Sequence, residues 1–121
     1  MEKAEGTLNP GIVRVHRIFY VAYFGFGIIF ALLGAAQLFN GHPQDAWMGL
    51  IGLATVPVGL VHWCAARGAR HGKRWGRVLS SVIAVVLLFG FPIGTVAGIY
   101  LLAKLGSDWQ AEIPVQAGRA L

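Results

Sequence analysis

The sequence holds little of what a water-soluble domain needs. Of its 121 residues only 12% are Asp, Glu, Lys or Arg, against roughly 25% in ordinary soluble domains, so polar groups cannot cover a water-facing surface. Carboxylates are scarcest, with five Asp and Glu against ten Lys and Arg, and none lies inside a long apolar run. That absence excludes proton-coupled export of a cation, which needs a membrane-embedded acid to exchange for protons. A single cysteine, Cys64, excludes an intrachain disulfide and leaves the redox compartment unread. There is no Gly-rich phosphate loop and no cysteine pair. His42-Pro43-Gln44-Asp45 pairs an imidazole with a carboxylate but has no nucleophile beside it, and reads as helix capping. The chain is expected to be no enzyme and to need no cofactor.

Apolar residues make up 56% of the chain and mean hydropathy is +0.64. They lie in runs long enough for a bilayer, and the length leaves room for one domain. The first run, Ile18 to Phe39, has 22 uncharged residues and covers about 33 Å as a helix, enough for a hydrocarbon core of about 30 Å. It exceeds the roughly 7 to 15 residues of a signal h-region and reads as a retained span. Asn40-Gly41 marks its C-cap, and Pro43 and Asp45 suit the first turn of the next helix. The second run, Ala46 to Ala66, is flanked by Trp47 and Trp63 as interfacial anchors, and Pro57 should kink it. Arg67 to Arg77 then carries five Lys or Arg in eleven positions and reads as a cytoplasmic loop, with Gly68, Gly72 and Gly76 supplying flexibility.

The third uncharged stretch, Val78 to Ala103, is interrupted by Gly90-Phe91-Pro92-Ile93-Gly94-Thr95. It is either one kinked, tilted helix, giving three spans, or a hairpin of two short helices, giving four. Four spans place all ten basic residues (Lys3, Arg14, Arg17, Arg67, Arg70, Lys73, Arg74, Arg77, Lys104, Arg119) on one side, as the positive-inside rule favours. The expected fold is therefore an all-α integral membrane bundle of four transmembrane helices, with both termini cytoplasmic. A single domain covers 1–105, with spans at about 14–39, 44–66, 75–91 and 93–105, and 106–121 forms a cytoplasmic tail. In that tail Ser107-Asp108-Trp109-Gln110 could cap a short interfacial turn, before Pro114 ends any helix.

Arg74-Trp75-Gly76-Arg77, Leu79-Ser80, Phe91-Pro92-Ile93-Gly94-Thr95 and Gly98-Ile99-Tyr100 together resemble a pattern in small bacterial multi-spanning membrane proteins of unknown function. There a tryptophan beside basic residues opens a span, and F-P-x-G-T followed by G-I-Y closes a hairpin. The likeness covers residues 74–103. It implies a helical hairpin, multi-pass in a bacterial cytoplasmic (inner) membrane, and it transfers no activity.

Small residues recur at helical spacing: Gly27, Ala31 and Gly34 in the first span, Gly49, Gly52 and Gly59 in the second, Gly94 and Gly98 in the last. Such spacing lets helix backbones approach closely where lipid removes the hydrophobic drive. These faces serve either packing within one chain or a second subunit. Arg67, Arg70, Lys73, Arg74 and Arg77 are expected to contact anionic lipid headgroups, so the positive charge does not call for nucleic acid. His16 and His62 could hold a haem iron, a metal or a proton, though each stands within about a turn of an arginine and can reach interfacial water from there. The expected role is a non-enzymatic accessory or self-associating subunit, a homo-oligomer or part of a larger membrane complex, acting through its glycine-rich faces. Two alternatives stand beside it: a haem- or metal-carrying redox subunit using His16 and His62, and an oligomeric pore or small transporter. Gln37, Ser80, Ser81 and Thr95 make a thin polar stripe for the latter.

Overall fold

The computed structural model of the chain describes residues 7–90 and 92–111; Lys3, Phe91, Pro114 and Arg119 lie outside them. The described residues are all-helical: α1 (Pro10–Phe39), a 3-10 turn (Pro43–Asp45), α2 (Trp47–Arg70), α3 (Arg74–Leu87) and α4 (Ile93–Ser107). Pro10–Phe39 and Pro43–Arg70 are each long and apolar enough to cross a membrane. α3 and α4, with 14 and 15 residues, extend only about 21 and 22 Å.

The punctuation of the chain explains these limits. α1 starts at Pro10, whose missing N–H costs nothing at that position, and the Asn9 carbonyl accepts the first helical bond from Val13 N (3.0 Å). α1 ends where Gly41 adopts φ +77°. There His42 N donates to Gln37 O and Gly41 N to Leu38 O, the paired bonds of a Schellman motif. α2 ends the same way, with Gly72 at φ +65°, Lys73 N bonded to Gly68 O and Gly72 N to Ala69 O. α2 passes through Pro57 as one helix.

Two expectations need correcting. The stretch Arg67 to Arg77 is not a loop: α2 runs to Arg70 and α3 begins at Arg74, because Gly72 closes the turn within three residues. The third uncharged stretch divides into α3 and α4, as the hairpin reading expects, and the alternative of one kinked helix drops out. α3 also stops at Leu87 rather than near 91. Gly90 N turns back to Leu87 O (2.8 Å) and Thr95 Oγ1 donates to Leu88 O (2.8 Å), satisfying carbonyls that a continuing helix would have used.

Packing divides the chain into two compact units. The first, Arg17–Trp63, contains most of α1 and α2 with the turn between them. Its helices meet backbone to backbone: a Cβ built on Gly52 would lie 2.7 Å from Ala31 N and from Gly27 O, and one on Gly34 would strike the Gly49 backbone. Thr55 Oγ1 lies 3.1 Å from Tyr23 O and 2.7 Å from Gly52 O, with its one hydroxyl hydrogen to share between them. Large apolar side chains face outward, among them Val21, Ile28 and Leu32 on α1 and Leu50 and Leu53 on α2. The second unit, Met1–His16 with Cys64–Leu121, is built round a cluster of Ile12, Ala69, Ala84, Leu101 and Leu105, with Val13, Val15, Leu87 and Trp109 packed against it.

Candidate functional site

The glycines expected to pack do so within the chain. Gly27 meets Thr55 and Gly52, Gly34 meets Gly49, and Gly59 lies beneath the Phe24 ring. In the second unit a Cβ on Gly94 would lie 2.6 Å from Leu87 O, and one on Gly98 would lie 2.7 Å from Ala84 O. The face of α4 that carries both is therefore covered by α3. Ala31, Gly34 and Gly49 also line an apolar groove of about 580 Å³ at the α1–α2 turn, walled by Leu38, Trp47 and Leu53.

The closest approach in the second unit has no clear signal in the sequence. A Cβ on Gly76 would collide with the Gly68 backbone, and the Trp75 ring lies over Gly68. Gly68 and Gly76 are therefore contact residues of α2 and α3, not sources of flexibility. Their spacing against the basic residues resembles a loop, which hid them. Only the eight-residue interval centred on Gly72 could have hinted at two helices crossing at their ends.

Around that crossing stand the five basic residues. Arg67 and Arg70 occupy the last turn of α2, where cations complement the macrodipole. Lys73 precedes α3, and Arg74 and Arg77 lie in its first turn, which has no acidic residue. Cations there add to the positive end of the dipole, so the corner is electropositive from both sources. Arg67, Arg70, Arg74 and Arg77 are exposed. Arg77 also reaches α4, where its Nη2 donates to Leu105 O (3.1 Å) and its guanidinium lies 5.9 Å from the Trp109 ring centroid. It closes a carbonyl at the end of α4 as a cationic side chain there can.

The histidines sit in different surroundings. His16 is fully buried in the second unit, its Nε2 3.0 Å from Ser80 Oγ. His62, in the first unit, is 4% exposed and stacks with Phe19 (centroids 5.0 Å apart) and Tyr23 (5.7 Å). Each is engaged with its neighbours, and among the described residues no group of three His, Cys, Asp or Glu gathers as a metal site. Cys64 is half-buried.

Asn9 links three distant segments of the chain. Asn9 is 3% exposed and holds φ +53°, a conformation that asparagine adopts more readily than most residues. Its Nδ2 donates to Ala69 O (2.9 Å) and Gln110 O (2.8 Å), its Oδ1 accepts from Gln110 N (2.6 Å), and its own N–H donates to Gln110 Oε1 (2.9 Å). Leu8 N adds a bond to Arg70 O (3.1 Å). One side chain thus ties the segment before α1 to the end of α2 and to the segment after α4. Asparagine followed by proline is a recognisable helix start, but nothing local foretells a partner 101 residues away.

Comparison with family models, with curated proteins and with solved structures finds no match to this chain.

Proposed function

We propose that the chain is a small, non-enzymatic, multi-pass protein of a bacterial inner membrane, an accessory or self-associating subunit of four spans with both termini cytoplasmic. The observation that carries this reading is the outward apolar surface of Arg17–Trp63, where Ile18, Ile28, Leu32, Leu50 and Leu53 are each more than half exposed. A soluble monomer has to keep such large apolar side chains from gathering on its surface, whereas lipid and neighbouring helices accept them. The glycines with close neighbours are occupied by contacts inside the chain, so partner helices meet the branched outer faces. The α2–α3 corner holds the cytoplasmic side through anionic headgroups, with Arg67, Arg70 and Arg74 carrying the contact and Arg77 shared with α4.

The test is extraction in mild detergent followed by light scattering and identification of what copurifies. A defined oligomer, or one stoichiometric membrane partner, supports the reading. A monodisperse monomer that brings down no partner contradicts it.

A further inference from the structure

A second charged feature differs in kind from the basic corner. At the end of α4, Lys104 Nζ and Asp108 Oδ2 form a pair 3.2 Å apart, with both side chains open to the outside (38% and 60% exposed). They line a pocket of about 460 Å³ together with Ser107, Trp109 and the Asn9–Gln110 clasp. Lys104 Nζ also lies 5.8 Å from the centroid of the Tyr100 ring, and Tyr100 comes close because its neighbour on α1 is Gly11, where a Cβ would lie 2.6 Å from the Tyr100 hydroxyl oxygen.

The chemistry of this pocket selects its ligand. One cation and one anion side by side give no net attraction for a simple anion, unlike the corner with five cations and no acid. An exposed i,i+4 ion pair contributes little in water, so its two members can be taken up separately by a ligand that carries both signs. A polar pocket floored by satisfied amides and walled by a half-buried tryptophan suits a headgroup at a membrane boundary, where tryptophan concentrates. We propose that this pocket binds the headgroup of a zwitterionic phospholipid of the phosphoethanolamine class, with Lys104 taking the phosphate and Asp108 the ammonium. The assignment rests on the membrane reading above.

The experiment uses the full chain, delipidated in mild detergent and titrated with phosphatidylethanolamine or phosphatidylglycerol, with bound lipid read by native mass spectrometry. Asp108→Asn should weaken phosphatidylethanolamine binding about fivefold, a modest loss on the affinity scale, with phosphatidylglycerol binding and melting temperature unchanged. The double exchange Lys104→Asp with Asp108→Lys should recover most of it, since both charges remain. Free phosphoethanolamine should compete weakly and inorganic phosphate not at all. Equal phosphatidylethanolamine binding by wild type and Asp108→Asn would overturn the assignment, as would an equal fall for both lipids. Displacement by inorganic phosphate would make the pocket an anion site, and free phosphoethanolamine binding as tightly as the lipid would make the ligand a soluble one. A chain that washes off membranes in alkaline carbonate fails the membrane reading itself, whereas an embedded chain indifferent to Asp108→Asn fails this assignment alone.

Discussion

The two units of this chain solve the same problem with different materials. Arg17–Trp63 joins two helices through glycine backbones, one threonine bonded to carbonyls, and a histidine stacked with aromatic rings, and it turns its large side chains outward. The unit containing α3 and α4 has an interior: an apolar cluster, the buried His16–Ser80 contact, and the Asn9 clasp. The difference teaches where each unit finds its stability. An interior with bonded polar groups specifies its own geometry, whereas a glycine seam between two helices depends on the medium that covers the remaining faces.

The largest effects are expected at the glycine contacts. Gly76→Leu drives a side chain into the Gly68 backbone, where neither helix can yield, and should cost about 3 kcal/mol or more by overpacking, seen as failure to accumulate in membranes. Gly98→Leu, against Ala84 O and Leu88, should behave similarly rather than yield a folded, smaller species. Gly25→Leu is the control in the other unit: nothing lies within 4 Å of its Cβ position, so the change should be neutral or stabilise the helix by up to about 1 kcal/mol.

Asn9→Ala removes three side-chain hydrogen bonds at a buried position and should cost about 2 to 3 kcal/mol. Proteolysis near Gln110 should accelerate in that variant. Neutralising Arg70 and Arg74 with glutamine removes one cation that complements the α2 dipole and one that opposes that of α3, so it should leave the melting temperature near wild type and reduce retention of anionic lipid, by about 1 kcal/mol per residue at low salt. Arg77→Gln should do the reverse, lowering stability through the lost bond to Leu105 O. The smallest loss is expected of Thr55→Val, which deletes the hydroxyl hydrogen offered to Tyr23 O and Gly52 O and should cost about 0.6 kcal/mol, the typical worth of such contacts between membrane helices.

What could be read from the residues follows the range of the physics involved. Charge-free runs marked α1 and α2, and Asn40-Gly41 marked the first turn, because hydropathy and left-handed glycine act locally. The break between α3 and α4 was legible in the interruption Gly90-Phe91-Pro92-Ile93-Gly94-Thr95, because glycine and proline punctuate helices locally. Contacts that join distant segments were not. Gly68 and Gly76 looked like a flexible loop because the basic residues among them drowned their four-residue spacing about Gly72, and Arg77 looked like one more surface cation although its partner carbonyl belongs to Leu105. His16 drew attention as a ligand, while Ser80, which meets it across 64 residues, was counted only as part of a polar stripe.

The proposed topology has four helices crossing the membrane and both ends in the cytoplasm. Fusions of alkaline phosphatase at Gly41 and after Leu121, with a cytoplasm-active reporter at the same positions, test it most directly. Four crossings should give phosphatase activity at Gly41 and none after Leu121, with the opposite pattern for the cytoplasmic reporter. Phosphatase activity after Leu121 would place the C-terminus outside and contradict a four-span bundle.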